Sequence, residues 1–333
     1  MVACAALEYR KTYVFSRGFE HLRFFKNPYL LAIAQSKRYN GFIKISERNM
    51  QIIDGKLVAQ QTREKIKAEA LKLQQETGRQ IGLAVILVGD DPASQVYVRN
   101  KIKACDEVGI KSFLCKLPQN STFDEVAGTI SYLNENIDVN GMILQLPLPK
   151  HLDETALIDL ICPEKDVDGC TFTQKGKLWT GRDSLVACTP LGVIRLLEHY
   201  DVELQGKNAV VIGRSNLVGK PLAQLLLDKN CTVTVCHSRT QNLAEITKKA
   251  DILCVAIGKA KFLKEDMVKD GAVVIDVGMD RDEMGKLCGD VDFAAVSPKC
   301  SYITPVPGGV GPMTVTMLIE NTLKAFKQQN DIL

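Results

Sequence analysis

Short apolar runs alternate with helical patterns along most of the chain, and this alternation limits the folds that the chain can adopt. A helical period over 57–78 ends at Gly78, a residue suited to a helix C-cap. The patterns that follow it are a strand at 83–88, a helix from Ser94, a strand at Ser112–Cys115, a helix from Ser121 and a strand at Gly141–Leu144. Short connections between such segments are typical of parallel βα units, so the sequence predicts an α/β fold.

The alternation starts again near Gly206 and predicts a second α/β unit. Its patterns are a strand at Ala209–Ile212, a glycine-rich turn, a helix through Leu227, and strands at Thr232–Val235, Ile252–Ala256 and Val273–Asp276. The chain closes with the loop Thr304–Pro312 and an amphipathic helix from Met313 to about Gln328. The apolar side of that helix holds Met317, Leu318, Thr322 and Ala325. We therefore expect two domains.

The helix after the first strand of the first unit places a phenol and an amine on one face. Ser94 is predicted to be its N-cap, because a hydroxyl can accept from the free amides of the first turn. Tyr97 and Lys101 are four residues apart, so they lie one turn apart on the same face. An isolated Tyr-x-x-x-Lys is usually a half-buried tyrosine beside a solvated lysine. Tyr97, Lys101 and Gln145 all follow strand ends, however, and ligands of α/β folds gather there.

The turn from Gly213 to Gly219 has the context of an anion site. It follows an apolar strand and precedes a helix, whose free amides and positive end can face a phosphate. The spacing is G-x-S-x-x-x-G, which is neither G-x-G-x-x-G nor the loop of the nucleotide triphosphatases, since Pro221 follows Lys220. The alternative interpretation is a tight strand-to-helix turn without a ligand.

The next strand indicates which dinucleotide the turn suits. A fold that prefers NAD usually has an acid about 20 residues on, which binds the ribose 2′-hydroxyl. Here the strand ends in the acid-free stretch 235–240, which contains Ser238 and Arg239. These two residues and Arg214 suit a 2′-phosphate, so NADP is favoured over NAD. His237 beside them is as consistent with a turn or packing residue as with a ligand.

Composition excludes several classes of protein. The chain is 46% hydrophobic and 24% charged, with a formal net charge of +3, too little to indicate nucleic acid as a partner. No apolar run approaches the roughly 18 residues of a membrane span. The eleven cysteines form no C-x-x-C pair and no paired Cys/His spacing. We expect buried free thiols in a reducing compartment, with neither a disulfide framework nor a metal site.

The first 49 residues differ from the rest. They hold nine Lys/Arg against three Asp/Glu and nine of the chain's 20 aromatic residues, and no strand or helix period persists in them. One interpretation is a basic targeting segment that is removed, which would place the protein in an organelle. The other is upstream sequence, with the functional protein beginning near Met50 in the cytoplasm. We favour the second, because Glu8, Glu20, Glu47 and the aromatic residues do not suit a transit peptide.

Six motifs together resemble one family, the bifunctional methylenetetrahydrofolate dehydrogenase/cyclohydrolases. Each motif alone is a weak signal, but they occur in the family's order across nearly all of residues 50–328. The motifs are Tyr97-Val-Arg-Asn-Lys101, Gln145-Leu-Pro-Leu-Pro149, Pro163-Glu-Lys-Asp-Val-Asp-Gly169, Cys188-Thr-Pro190, Gly213-Arg-Ser215 and Pro305-Val-Pro-Gly-Gly-Val-Gly-Pro-Met-Thr314. Residues 1–49 lie outside the resemblance.

The resemblance implies a role for each matching residue. Lys101 matches the catalytic lysine of the cyclohydrolase step, Gln145 the residue that tunes it, Tyr97 the aromatic ring that lies against the folate, and Asp168 the carboxylate that holds the pterin. Further implied substrate contacts are Val98, Arg99, Asn100, Leu144, Leu146, Pro307, Gly308, Gly309, Val310 and Gly311. Implied NADP contacts are Gly213, Arg214, Ser215, Ser238 and Met279.

The residue types agree with the implied chemistry. A buried carboxylate can bind the aminopyrimidinone edge of a pterin through paired hydrogen bonds, although Asp168 before Gly169 would otherwise be read as a turn residue. Hydride passes from the bridging methylene carbon to the nicotinamide, so the protein mainly positions two rings. A lysine that manages protons during hydrolysis of the product must be neutral for part of the cycle.

The resemblance also implies an architecture and an activity. We expect a folate-binding catalytic domain at 50–190, a Rossmann-type NADP-binding domain at 191–307 with a parallel sheet, and a folate-side loop and helix at 308–333 that pack back on the first domain. The folate would lie in the cleft between the domains, and two copies would form a homodimer. The implied activity is NADP-dependent oxidation of 5,10-methylenetetrahydrofolate and hydrolysis of the methenyl product to 10-formyltetrahydrofolate, within one-carbon metabolism and purine biosynthesis.

Two alternatives remain at this point. One is an enzyme with the dehydrogenase activity alone, or one that prefers NAD; Lys101 and the acid-free strand end argue against it. The other is a non-catalytic dinucleotide-binding sensor that docks through the basic N-terminus. A sensor would not need a lysine that manages protons.

Overall fold

Two parallel β-sheets organise residues 50–332, the part of the chain that the structure, a computed structural model, describes. The strands in chain order are Gln51–Ile52 (β1), Gly82–Val88 (β2), Lys111–Leu117 (β3), Gly141–Leu144 (β4), Asn208–Ile212 (β5), Thr232–Cys236 (β6), Ile252–Val255 (β7), Val273–Asp276 (β8), Asp280–Arg281 (β9), Leu287–Cys288 (β10) and Tyr302–Ile303 (β11). The predicted two-domain α/β fold with a parallel sheet is confirmed.

Helices cover both sheets. In chain order the α-helices are Gly55–Thr77 (α1), Pro92–Val108 (α2), Phe123–Glu135 (α3), Glu154–Ile158 (α4), Phe172–Trp179 (α5), Cys188–His199 (α6), Gly219–Asp228 (α7), Leu243–Thr247 (α8), Phe293–Val296 (α9) and Val310–Gln329 (α10). Short 3₁₀ turns occur at Pro163–Lys165, Glu265–Met267 and Ser297–Lys299. None of the helices within residues 50–332 is long and apolar enough to cross a lipid bilayer.

The smaller sheet has the order β3-β2-β4 and all its pairings are parallel. Its central strand β2 is buried at every position, because neighbours flank it and helices cover it. The edge strand β3 is longer than the predicted Ser112–Cys115, since it pairs with β2 along its whole length. Gln145 directly follows β4, so its side chain starts at the carboxyl end of this sheet.

The larger sheet has the order β1-β11-β8-β7-β5-β6, and each neighbouring pair is parallel. From β5 the chain goes to β6 on one side and then to β7 on the other side. The carboxyl end of β5 is therefore a topological switch point, where ligands of such sheets bind. The strand β1, which opens the part of the chain predicted to be the first domain, pairs with β11 in this sheet.

The last helix, α10, packs against α1, α2 and α6. The four residues that the pattern placed on its inner side, Met317, Leu318, Thr322 and Ala325, are all buried. The helix thus returns from the end of the larger sheet to the helices around the smaller one.

Helix α1 ends at the predicted Gly78, which has the left-handed conformation of a C-cap at φ 66°. Its N-cap is Asp54, whose carboxylate accepts from the amides of Lys56 and Leu57. The helical period placed Leu57 on the buried face, but this side chain is 46% exposed. The buried positions of the first two turns are instead Gly55, Val58 and Ala59.

A buried carboxylate holds the end of β8 to the segment after the β9–β10 hairpin. Asp276 is 3% exposed, and its carboxylate accepts from the amides of Gly278 (3.0 Å), Asp290 (2.9 Å) and Val291 (2.9 Å). Burial raises the pKa of Asp276 from 3.8 to about 7, although these amides act in the opposite direction.

We expect the stability of the protein to fall as the pH rises through 7. The unfolded carboxyl of Asp276 loses its proton near the ordinary pKa of 3.8, whereas the folded one keeps it to about 7. The stabilisation that this proton provides is complete below 3.8 and is lost as the pH rises through about 7.

Denaturant unfolding of wild type and of Asp276→Asn between about pH 5 and pH 8 measures this contribution, which amounts to at most a few kcal/mol. The variant should lack this part of the pH dependence. Parallel pH profiles for the two proteins would contradict the assignment to Asp276.

Candidate active site

A lysine and a glutamine from the smaller sheet and its first helix form the centre of the candidate site. The amine of Lys101, on α2, donates to Oε1 of Gln145 at 2.9 Å. Gln145 is 8% exposed, and its Nε2 donates to the carbonyl of Leu146 at 2.6 Å. This second bond orients the side-chain amide so that its oxygen faces the lysine. The predicted convergence of Lys101 and Gln145 is therefore present in the structure.

Helix α2 begins differently from the prediction. It starts at Pro92, and its N-cap is Asp91, whose carboxylate accepts from the amide of Ser94 at 2.7 Å. Ser94 lies within the first turn and is buried, so the prediction that it is the N-cap was wrong. Proline at the first helical position and an aspartate cap are a stronger start signal than a serine two residues later.

Tyr97 lies one turn before Lys101 on α2 and faces the larger sheet. Its hydroxyl donates to Sδ of Met279 at 3.6 Å, and the two side chains are 41% and 48% exposed. Met279 follows β8 and was predicted to contact the cofactor. The contact joins a residue of α2, beside the smaller sheet, to a residue that follows β8 of the larger sheet, and both side chains keep exposed surface.

Asp168 lies in a loop whose backbone is held from both sides. The preceding Asp166 is buried, and its carboxylate accepts from the amides of Cys170 (3.1 Å) and Thr171 (2.7 Å). Burial raises the pKa of Asp166, and these amides partly offset the effect. Gly169 has φ 63°, and a Cβ there would lie 2.6 Å from the carbonyl of Leu185. The turn aspartate and the glycine thus bring this loop against the start of α6.

Cys188, the first residue of α6, is buried, and its thiol is affected by the charges of Asp168 and Lys101. Burial raises the pKa of its thiol well above the ordinary value, the carboxylate of Asp168 raises it further, and the amine of Lys101 acts in the opposite direction. Its Sγ donates to the carbonyl of Val167 at 3.4 Å. The charges of Asp168 and Lys101 thus both act on this buried thiol.

The turn after β5 approaches neighbouring backbone so closely that only glycine fits. Gly213 has φ 128°, and a Cβ there would lie 2.3 Å from the carbonyl of Ala256; one on Gly219 would lie 2.3 Å from the carbonyl of Gly213. The hydroxyl of Ser215 accepts from the amides of Val218 (3.1 Å) and Gly219 (3.3 Å), which leaves its hydrogen free to donate outward. The arrangement can accept a phosphate.

Cationic and hydroxyl side chains surround the switch point. Arg214 and Ser215 are exposed on the turn after β5, and Ser238 and Arg239 are exposed after β6. His237 is used within its own turn, because its Nδ1 accepts from the amide of Arg239 at 3.1 Å. This favours the turn interpretation of His237 over a ligand. The four other side chains are free to face a 2′-phosphate.

A second buried carboxylate shapes the loop beside Gly213. Asp290 is fully buried and accepts from the amides of Ile257 (2.7 Å), Gly258 (3.3 Å) and Lys259 (2.6 Å). These amides follow β7, next to Ala256, whose carbonyl faces Gly213. Asp290 thus restrains the backbone that packs against the turn from Gly213 to Gly219.

The other predicted substrate residues have different positions. Val98 and Leu144 are buried in the hydrophobic cores, Arg99 and Asn100 are exposed on α2, and Leu146 precedes a cis proline. The loop 307–311 lies at the start of α10, where the carbonyl of Gly308 accepts from the amide of Lys56 at 3.2 Å. No hydrogen bond among residues 50–332 joins that loop to Lys101, Gln145 or Asp168. The contacts of these residues with substrate stay predictions.

Three residues of this region were not predicted as site residues. Cys188 lay within a recognised motif, but its apolar neighbours indicated only packing. Asp290 stands between Gly289 and Val291, where the sequence gives no sign that the carboxylate is buried. Asn321 is a single amide on the inner side of α10, where the helical pattern alone carries no sign of a partner.

Comparison with known proteins shows what the chain is similar to. A model described as the catalytic domain of tetrahydrofolate dehydrogenase/cyclohydrolase matches residues 53–168, and one described as its NAD(P)-binding domain matches residues 187–330. The chain is 57% identical over 280 residues to "Bifunctional protein FolD" of Campylobacter hominis, covering 84% of this chain and 98% of that protein. The protein of the same name from Streptococcus pneumoniae serotype 4 is 56% identical over 275 residues, or 83% and 96% of the two chains.

Solved structures give the same result. The bifunctional enzyme FolD, methylenetetrahydrofolate dehydrogenase/cyclohydrolase, from Campylobacter jejuni superposes with a TM-score of 0.83 at 48% identity, over 84% of this chain and 100% of that chain. The methylenetetrahydrofolate dehydrogenase-cyclohydrolase of Trypanosoma brucei, complexed with NADP cofactor and inhibitor, has a TM-score of 0.81 at 39% identity, over 84% and 98% of the two chains.

We expect Asp290→Asn to loosen the loop after β7. The amide side chain keeps one acceptor and turns an NH₂ group toward a backbone N–H, so buried donors lose their partner at a cost of about 3 kcal/mol in the free energy of unfolding. Hydrogen exchange should quicken at the amides of residues 257–259.

Asp292→Asn provides a matched control. Its ion pair with Lys264 is partly exposed, so the loss should be below about 1 kcal/mol. Equal destabilisation by the two variants, or unchanged exchange at residues 257–259, would contradict the role of Asp290.

Proposed function

Because the chain belongs to the tetrahydrofolate dehydrogenase/cyclohydrolase family, we propose a role in the two reactions of that family for each residue of the site. The protein oxidises 5,10-methylenetetrahydrofolate to the 5,10-methenyl compound with NADP and hydrolyses that product to 10-formyltetrahydrofolate. It is thus an oxidoreductase and a hydrolase of one-carbon metabolism. The observation that carries the assignment of roles is the hydrogen bond of 2.9 Å from Lys101 to Gln145.

The residues at the carboxyl ends of β5, β6 and β8 fit NADP. The glycines at 213 and 219 let the turn pack tightly against neighbouring backbone, and this supports a phosphate position at the start of α7. Arg214 and Ser238 offer a guanidinium and a hydroxyl to a 2′-phosphate. NADP supplies the hydride acceptor when it is bound, and the backbone beside Met279 would hold its nicotinamide end.

In the oxidation step the main task of the protein is to orient the folate. The carboxylate of Asp168 accepts hydrogen bonds from the aminopyrimidinone edge of the pterin, and the ring of Tyr97 packs against the folate. Because Tyr97 contacts Met279, the same ring lies next to the position of the nicotinamide. These contacts would place the methylene carbon next to the hydride acceptor, in the orientation that hydride transfer requires.

In the hydrolysis step the protein must accept and transfer protons. Water adds to the methenyl carbon and gives one of its protons to the amine of Lys101. The hydroxyl group formed in this way then becomes the formyl carbonyl: its proton is transferred to N5, the bond from the carbon to N5 breaks, and the formyl group stays on N10. Gln145 accepts one N–H of Lys101, which directs the remaining positions of the amine toward the substrate.

Replacement of the lysine tests this role. We expect Lys101→Met to reduce hydrolysis of the methenyl compound by at least about 10²-fold, since general acid–base catalysis contributes 10² to 10⁴. Oxidation should fall less, because the hydride step transfers no proton. Lys103→Met, two residues along the same helix at an exposed position, is the control. A full hydrolysis rate in the Lys101 variant would remove this residue from the mechanism.

The cofactor assignment has its own test. Arg214→Ala should raise the KM for NADP by about 10-fold or more, since a hydrogen bond between charged groups contributes about 1.5–3 kcal/mol. The KM for NAD and the rate of hydrolysis should stay nearly unchanged, and these two serve as internal controls. An equal rise of KM for both cofactors would show that Arg214 does not bind the 2′-phosphate.

We also propose the domain limits, the assembly and the location that the family resemblance implies. Family matches at 53–168 and 187–330 support domains at 50–190 and 191–307 with a final helix at 308–333, although β1 joins the larger sheet. The ten cysteines of residues 50–332 are free thiols, which supports a cytoplasmic location. Sedimentation analysis tests the proposed homodimer. Residues 1–49 lie outside the described part of the chain.

A further inference from the structure

The last helix carries a buried amide where a core side chain would be expected. Asn321 is 3% exposed in the middle of α10, among inner residues such as Leu318 and Ala325. Asparagine is a poor helix former, and a buried amide without partners is costly. Its presence needs a compensating contact outside its own helix.

The side chain of Asn321 makes such contacts with two separate segments of the chain. Nδ2 of Asn321 donates to the carbonyl of Val167 at 2.8 Å and to the carbonyl of Val186 at 2.8 Å, and lies 3.8 Å from Sγ of Cys188. Both hydrogens of the amide are therefore used. One side chain of α10 ties the loop that carries Asp168 to the segment that leads into Cys188.

The geometry makes the position of Asp168 depend on this tie. The carbonyl of Val167 belongs to the peptide group that bears the amide of Asp168, so a bond to that carbonyl restrains the backbone of Asp168 directly. On the other side, Gly169 packs against residues 185–187 so closely that a Cβ would lie 2.5 Å from the amide of Ala187. Asp166 restrains the following residues through the amides of Cys170 and Thr171.

We propose that Asn321 is a positioning residue for the folate: it sets the carboxylate of Asp168 against the pterin in both reactions. The proposal rests on the role given to Asp168 above. Asn321 itself touches neither the substrate nor the cofactor. It acts through the backbone between Val167 and Gly169 and holds that backbone against the start of α6.

This role has a kinetic signature that general destabilisation lacks. Both reactions use the same bound pterin, so a displaced Asp168 weakens binding of the methylene and the methenyl folates together. The turn from Gly213 to Gly219, which is proposed to contact NADP, belongs to the other sheet. It packs on the loop that Asp290 restrains, so the KM for NADP should not change when Asn321 is replaced. Loss of Lys101, in contrast, affects hydrolysis more than oxidation.

The experiment replaces the amide in the full-length enzyme. Asn321→Leu has a similar volume and no donor, and Asn321→Ser is a smaller variant that keeps a hydroxyl but cannot span both carbonyls. Both assays are run with varied folate and varied NADP. We expect the KM for both folates to rise about 10-fold or more in each variant, while the KM for NADP stays within about twofold of wild type.

Thr322→Val is the matched control. Thr322 is the next buried residue of α10, and its hydroxyl donates to the carbonyl of Leu318 within the same helix. A KM for folate that rises equally in Thr322→Val, or that stays at the wild-type value in both Asn321 variants, would overturn the proposal.

A double variant separates this proposal from the role of Asp168 itself. Asp168→Asn alone must raise the KM for folate; if it does not, the assignment of Asp168 fails. If it does, Asn321→Leu should add little in the Asp168→Asn background, because both changes act on the same contact. Fully additive effects would mean that Asn321 does not act through Asp168.

Discussion

A buried polar group must find a hydrogen-bond partner, and in this protein that requirement shapes the ends of the strands. Four buried side chains, Asp166, Asp276, Asp290 and Asn321, bond to backbone amides or carbonyls of loops. Each loop adjoins the carboxyl end of a strand or the start of a helix that carries a site residue. The loops of parallel sheets are usually the least restrained part of the fold. Here the cost of leaving these groups unpaired keeps them in one conformation.

The two reactions draw on this framework in different ways. Hydride transfer needs two rings held face to face, which requires both sheets at once, and the contact between Tyr97 and Met279 is where they meet. In the proposed mechanism hydrolysis needs one amine with a defined direction, and the bond from Lys101 to Gln145 orients that amine. The buried groups restrain both regions: Asp290 bonds to the loop beside Gly213, and Asn321 bonds to the backbone next to Asp168. A single fold can thus present one substrate to two kinds of chemistry.

Much of the fold could be predicted because it depends on local pattern. The strands Gly141–Leu144 and Val273–Asp276 have the predicted bounds, since each is a continuous apolar run between polar turns. The predicted helix starts were wrong where several neighbouring residues could each act as the N-cap. Asp91 caps α2 in place of Ser94, and Thr122 caps α3 one residue after the predicted start. Edge strands such as β3 were underestimated, because pairing with a neighbour extends them beyond their own apolar residues.

The sequence by itself determined the α/β class and the pairing of Tyr97 with Lys101 on one helical face, and it favoured NADP for the turn after β5. All of these follow from the spacing of nearby residues. Only the tertiary structure decided which distant groups meet, such as Lys101 with Gln145 or Asn321 with Val167 and Val186. A local pattern records whether a side chain is buried but not what it touches there. Partners for buried polar groups are set by the packing of helices on sheets, which brings together segments more than a hundred residues apart.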